Sequence, residues 1–176
     1  MQVHYSSKTD DWATPQSFFD EMDAEFSFDL DVCASADNAK ASRFLTKEDD
    51  ALSQTWSGTC WMNPPYGRGI GAWIKKAYET AASGHTVVCL IPSRTDTSWW
   101  HRYCAKSTDI RFVSGRLSFG NGDGRAPFPS VVVVFDGKRT KQQFLADNVD
   151  QVFAGLDAEL AEMEIELDRL DRLLVA

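Results

Sequence analysis

Residues 86–91 form an unbroken apolar run, Thr86-Val87-Val88-Cys89-Leu90-Ile91, stopped by Pro92. Such a run reads as a strand buried on both faces, which is stable only with packing layers above and below it. The neighbouring segments supply those layers. Thr14 as N-cap, Pro15 at the first helical position and Phe18, Phe19, Met22 and Phe26 on one face predict a helix over Gln16–Phe26. Residues 28–34 predict a short strand with Phe28, Leu30 and Val32 pointing inward. Thr59–Met62 predicts another, ended by Pro64-Pro65 because neither proline can donate to a ladder. Trp73, Ile74, Ala77, Tyr78 and Ala81 recur at helical spacing over 70–83, with Gly84 as the stop. Residues 97–106 read as helical. Residues 110–119 and 130–135 read as two strands joined by Gly120-Asn121-Gly122-Asp123-Gly124, an antiparallel pair at a sheet edge. Together these predict an α/β layered domain with a mostly parallel sheet and an antiparallel end.

At 176 residues and 43% hydrophobic the chain suits one globular domain with a substantial core. The expected boundaries are a domain over 1–138, a linker over 139–154 and an acidic helix over 155–176. In that helix Leu156, Leu160, Met163, Leu167, Leu170 and Leu174 alternate spacings of four and three, a heptad pattern. The stripe serves either as a homodimer seam or as a face docked on its own domain. Ile165 and Leu173 widen it, which favours docking or a multi-helix contact.

The net charge of −8 argues against a nucleic-acid partner until it is divided along the chain. Residues 1–50 carry 4 basic and 12 acidic side chains, residues 51–141 carry 12 and 5, and residues 142–176 carry 2 and 9. The basic middle segment is where a polyanion would be met. Cys33, Cys60, Cys89 and Cys104 have no metal-ligand spacing, so neither a metal nor a disulfide framework is expected. The N-terminus is polar and no apolar run nears the roughly 18 residues of a membrane span. These features predict a cytoplasmic protein.

The most specific motif is Asn63-Pro64-Pro65-Tyr66, directly after a strand. Methylating an exocyclic amino group is difficult because its nitrogen lone pair is delocalised into the ring. A site overcomes this by holding the amino group with hydrogen-bond acceptors, so that the nitrogen becomes pyramidal and aims its lone pair at the methyl donor. The Asn63 side-chain oxygen supplies one acceptor and the Pro64 carbonyl another, on a Pro-Pro backbone with fixed angles and no competing N–H. Tyr66 offers a flat face for a flipped base. No titrating base is needed. The plain alternative is a strand-ending Pro-Pro turn with a packing tyrosine.

Leu30-Asp31-Val32-Cys33-Ala34-Ser35 ends a strand in a carboxylate followed by small residues, suited to the ammonium of an amino-acid-like ligand, or simply an acidic turn. Asp49-Asp50-Ala51-Leu52 can accept from an adenine amino group beside an apolar slot, or be a solvated acidic loop.

These motifs, in the order Thr14-Pro15, 30–35, 50–52 and 63–66, make residues 10–136 resemble the phage-type DNA N-6-adenine methyltransferase (Dam) family. Leu90-Ile91-Pro92-Ser93-Arg94-Thr95-Asp96-Thr97, Gly115-Arg116-Leu117-Ser118-Phe119-Gly120 and Pro127-Phe128-Pro129-Ser130 carry the same likeness. The resemblance implies a Rossmann-like S-adenosylmethionine-dependent methyltransferase sheet with helices on both faces, reduced in size, plus a C-terminal helix. It implies that Asn63, Pro64, Pro65 and Tyr66 form the catalytic loop. Thr14, Pro15, Asp31, Cys33, Ala34, Ser35, Asp50 and Asn63 would contact S-adenosylmethionine, with Asp31 at its methionine end and Asp50 at its adenine. The usual glycine-rich turn is replaced by Cys33-Ala34-Ser35, and eighteen residues between Asp31 and Asp50 leave no room for a second strand and helix. That leaves the ribose ligand open, with Asn38 in reach.

No segment is long enough for a separate DNA-recognition domain, so loops of the basic segment must do that work. Arg68, Arg94, Trp99, Arg102, Arg116 and Arg125 are the expected DNA contacts, Arg111 could also face a groove, and the glycine loop 120–124 lies among them. The reading is adenine-N6 methylation of DNA. The alternatives are a methyltransferase for an RNA base or a protein amide, and a non-catalytic DNA-binding or assembly protein with this fold.

Overall fold

A computed structural model describes residues 13–120 and 125–140, then positions 142–143, 145–146, 148–149, 153, 155–156, 159–163, 165 and 167. The chain divides into two compact units, Met1–Lys138 and Arg139–Ala176.

The first unit is built on a five-stranded sheet. In chain order its elements are α1 (Gln16–Phe26), β1 (Leu30–Asp31), β2 (Thr59–Met62), α2 (Ile70–Ala82) and β3 (Thr86–Pro92). They continue with α3 (Ser98–Arg102), a 3₁₀ turn (Cys104–Lys106), β4 (Asp109–Phe112) and β5 (Ser130–Asp136). The strand order is β1-β2-β3-β5-β4. β1, β2 and β3 run parallel, and β5 lies antiparallel between β3 and β4.

All seven residues of β3 and all seven of β5 are buried, as the apolar run over 86–91 demands. Register shows which layer covers which face. Trp61 pairs with Val88 and Val88 with Val134, and Trp61 meets Phe19 of α1 edge-on at 5.5 Å. Val87 and Phe135, one residue out of phase, face the other way, where Tyr78 of α2 meets Phe135 at 6.1 Å. Helices therefore cover both faces, and the domain is a small Rossmann-like methyltransferase fold. Gly137 ends β5 against the C-terminal end of α2, where an added Cβ would overlap the Ala81 carbonyl.

Several expectations shift. Thr14 does not cap α1: Pro15 is the N-cap residue and no side chain caps the helix. The strand expected over 28–34 is paired only at Leu30–Asp31. The helix expected over 97–106 breaks at Tyr103 into α3 and the 3₁₀ turn. The antiparallel pair expected at a sheet edge is present, with β4 outermost and β5 between it and β3. β4 stops at Phe112 rather than running to 119.

Arg111 does not face a groove. Its guanidinium bonds both Glu25 oxygens at 2.5 and 2.7 Å, and its Nε donates to Asp109 at 2.7 Å. It lies 5.3 Å from the Phe26 ring centroid. The Glu25 hydrogen bond, outweighing partial burial, raises its pKa further. Pairing Arg111 with Val132 puts it on the α1 face, and Phe112, one residue on, faces away and is 71% exposed.

All four cysteines are free thiols. No helix among the described residues is long and apolar enough to cross a membrane. In the second unit every described position from 142 to 167 is helical, including those in the expected linker. Leu156, Leu160, Met163, Ile165 and Leu167 are exposed there. Leu170, Leu173, Leu174 and most of the glycine loop, 121–124, lie outside the described residues.

Ile74 of α2 is fully buried, so Ile74→Ala should lower unfolding free energy by about 2–5 kcal/mol. Phe112→Ala should change it by less than about 0.5 kcal/mol. Urea denaturation of both variants tests the assignment of core and surface.

Candidate active site

β1 and β2 pair for two residues, Leu30 with Cys60 and Asp31 with Trp61. The chain leaves both at the carboxyl end of the parallel strands, where α/β sheets bind ligands. Residues there converge on one small open pocket lined by Ala13, Thr14, Asp31, Cys33, Asn38, Lys40, Trp61 and Asn63. Period-two alternation along the chain explains why Trp61 and Asn63 line it together.

Asp31 is 3% exposed. One carboxylate oxygen accepts the Cys33 backbone N–H at 3.1 Å and the other accepts that of Lys40 at 3.1 Å. Burial raises its pKa, while those two amides and the Lys40 charge pull it back. A carboxylate so placed gains most from a cationic ligand, which restores the charged form that burial disfavours.

The Asn63 amide is oriented: Nδ2 donates to the Thr14 hydroxyl at 2.9 Å. With the nitrogen end committed to Thr14, the carbonyl end is turned the other way, as an acceptor. The Asn63 backbone also donates toward Cys33, whose thiol burial holds well above its ordinary pKa. Cys33 is therefore a neutral wall residue rather than a nucleophile.

Pro64 is buried and Pro65 exposed. Tyr66 is buried, and its hydroxyl donates to the Leu90 carbonyl at 3.1 Å. Burial keeps that phenol protonated by pushing its pKa far up. Phe128 and Phe119 meet the Tyr66 ring edge-on at 5.4 and 6.0 Å.

Those phenylalanines belong to a ribbon. The Ala126 N–H donates to the Leu117 carbonyl at 2.8 Å, joining the two sides. Burial alternates along both: Phe119, Ala126 and Phe128 are buried, whereas Arg116, Ser118, Arg125 and Pro127 are exposed. The ribbon thus shows arginines outward and packs aromatics onto Tyr66 of the 63–66 loop. Its Gly120 N–H donates to the Ala13 carbonyl at 2.8 Å, tying it to the pocket.

Of the expected site residues, Thr14, Asp31, Cys33 and Asn63 meet in the pocket; Pro15, Ala34, Ser35, Asp50, Pro64, Pro65 and Tyr66 are not among its lining. Asp50 is exposed, with a left-handed φ of 47°. Its carbonyl accepts from the Ser53 N–H and hydroxyl at 2.8 and 2.9 Å. Buried Trp56 donates to the next carbonyl, Ala51, at 2.8 Å and holds this loop. Asp49 instead caps Thr46 through its N–H and hydroxyl, both at 2.8 Å. As the short Asp31–Asp50 spacing anticipated, no strand or helix intervenes there, only an Asp31–Phe44 bridge and turns.

Arg68, Arg102, Arg116 and Arg125 are exposed and Arg94 is half-exposed. Trp99 is half-buried and meets buried Trp100 at 6.1 Å. Lys40, Trp61, Trp56 and the inner face of the ribbon went unassigned in the sequence. Trp61 had a signal, two residues before Asn63; Lys40, whose amine donates to Gln16 at 2.7 Å, had none. Among the described residues no cluster of metal-binding side chains occurs.

Comparison with known proteins agrees with this geometry. The sequence matches the DNA N-6-adenine-methyltransferase (Dam) family over residues 3–145. A DNA N-6-adenine-methyltransferase of Haemophilus phage HP1 (strain HP1c1) is 30% identical over 141 residues, covering 75% of this chain and 82% of the phage protein. A DNA N-6-adenine-methyltransferase of Escherichia phage T1 is 26% identical over 130 residues, covering 64% of this chain and 54% of that protein. With the oriented asparagine and the buried carboxylate both inside the matched span, the chain belongs to the DNA N-6-adenine-methyltransferase (Dam) family.

Proposed function

We propose that this protein transfers the methyl group of S-adenosylmethionine to the N6 amino group of an adenine flipped out of DNA. The observation that carries the reading is that Asp31 and Asn63 line one pocket. A carboxylate for an amino-acid ammonium thereby sits beside an amide for an exocyclic amine. The fit to the cofactor rests on that donor set. Asp31 takes the ammonium, Asn38 lies toward the ribose, and the Asp50 loop braced by Trp56 takes the adenine. When bound, S-adenosylmethionine supplies an electrophilic methyl group.

The chain's own residues do the rest. The Asn63 carbonyl oxygen and the Pro64 carbonyl accept the two N6 hydrogens, which localises the nitrogen lone pair and turns it toward the methyl carbon. Methyl transfer would leave one N6 proton acidic, and that proton, held at the Asn63 or Pro64 oxygen, would pass to solvent. Tyr66, braced by Leu90, Phe119 and Phe128, forms the wall against which the base lies. Arg116 and Arg125 face the duplex from the ribbon, and Arg68, Arg94, Arg102 and Trp99 meet it alongside.

Asn63→Ala should lower DNA methylation by at least about 100-fold, the scale of a lost transition-state hydrogen-bond partner, with its melting temperature retained. Mapping N6-methyladenine in DNA from cells expressing each protein reads out this loss and the target sequence together. Unchanged methylation in the variant would remove Asn63 from the mechanism.

Asp31→Asn should weaken S-adenosylhomocysteine binding by at least about tenfold by calorimetry, the scale of a lost charge-assisted hydrogen bond. Stability carries a second signature. Because the folded pKa of Asp31 is raised, ionisation costs the native state stability as pH rises above the unfolded value. The parent should therefore show an Asp31-linked loss of stability as pH rises from acid that Asp31→Asn lacks, while the variant, with one oxygen for the two backbone N–H groups of Cys33 and Lys40, should carry a pH-independent cost. Denaturation at several pH values checks this.

A further inference from the structure

Thr14 opens onto the cofactor side of the pocket, but its hydroxyl is spent elsewhere. It is 6% exposed and caps no helix, since Pro15 holds the N-cap position of α1 without a side-chain cap. What it does hold is the Asn63 amide nitrogen, 49 residues away in sequence, at 2.9 Å. The residue before it, Ala13, accepts the Gly120 N–H of the arginine ribbon at 2.8 Å.

The two ends of an asparagine amide are nearly the same size and opposite in chemistry: one accepts, the other donates twice. An exocyclic amino group also donates. The carbonyl-first orientation therefore binds it, and the reversed orientation sets N–H against N–H. Sterics barely distinguish the two. The Thr14 hydroxyl, able both to donate and to accept, holds the side chain in one place, and here it accepts from the nitrogen end at 2.9 Å, with the carbonyl end directed away from it.

We infer that Thr14 is a positioning residue whose hydroxyl anchors the Asn63 side-chain amide in its place beside the substrate, and that the Ala13–Thr14 segment links the cofactor pocket, the 63–66 loop and the arginine ribbon. The substrate in this assignment rests on the function proposed above; the amide orientation does not. The assignment differs from simple cofactor lining in what Thr14 loses when altered. A lining residue changes cofactor affinity, whereas a residue that orients Asn63 changes turnover.

The test compares Thr14→Val, which keeps the shape and removes the acceptor, with Thr14→Ser, which restores it. One readout is independent of activity: the Asn63 side-chain NH₂ signals in a ¹⁵N-correlated NMR spectrum, identified by their loss in Asn63→Asp. They should shift or broaden in Thr14→Val and hold their place in Thr14→Ser. In turnover, Thr14→Val should lower kcat about tenfold, the scale of one lost hydrogen bond. KM for DNA and affinity for S-adenosylhomocysteine should stay within about threefold, and Thr14→Ser should recover kcat to within about threefold. Thr14→Ala, which adds no bulk, repeats the comparison should the valine variant not fold.

Parental kcat with unmoved Asn63 signals in the valine variant would overturn the inference. So would a kcat loss matched by an equal loss of S-adenosylhomocysteine affinity, or failure of serine to restore turnover. If the parent protein methylates no DNA, the proposed reaction falls, and the NMR comparison still decides the orientation of the amide.

Discussion

The short parallel pairing of β1 with β2 is the constraint on which the site depends. Two registered residues, Leu30 with Cys60 and Asp31 with Trp61, set the ends of both strands side by side. Asp31 is then the last paired residue of one strand, and Asn63 is the first residue beyond the other. A one-residue slip would reverse the facing of one strand and carry either the carboxylate or the amide out of the pocket. So short a ladder cannot hold that register alone. The buried β3 and β5 ladders carry it, with Met62 of β2 locked opposite Cys89 of β3. The core thus supports the chemistry through register rather than through contact with any ligand.

A second constraint acts on the loop over residues 63–66 from outside the sheet. Its Pro-Pro backbone has no N–H with which to anchor itself. Side chains at its two ends therefore do the anchoring, Asn63 through Thr14 and Tyr66 through the Leu90 carbonyl. The ribbon completes the support by setting Phe119 and Phe128 against Tyr66 while its arginines face solvent. A polyanion drawn to Arg116 and Arg125 would press on the same element that buttresses the loop. The net charge of −8 conceals this, because acidic residues dominate both ends of the chain and basic ones the middle.

Much of this was legible in the sequence, for identifiable reasons. The 86–91 run and the valines of 130–135 announce themselves because burial on both faces leaves no polar position in the pattern. Asn63 to Tyr66 stands out because a Pro-Pro pair after a strand is chemically restrictive. Long-range partners were not legible. Thr14 looks like a helix cap from its neighbours, and only the folded chain brings it to Asn63. Arg111 looks like one more cation of a basic segment, yet it is held by Glu25, 86 residues away. The antiparallel pair at the sheet edge was legible, whereas the order within it, β5 inside and β4 outermost, was not. Tyr66 offers a flat face in sequence, but the direction of that face follows from Phe119 and Phe128.

Incubating the purified protein with S-adenosylmethionine labelled in its methyl group, together with DNA, and digesting the DNA to nucleosides tests the central claim most directly. The account predicts label in N6-methyladenine. Label in RNA or protein amide instead, or none in DNA while S-adenosylhomocysteine still binds, would contradict it.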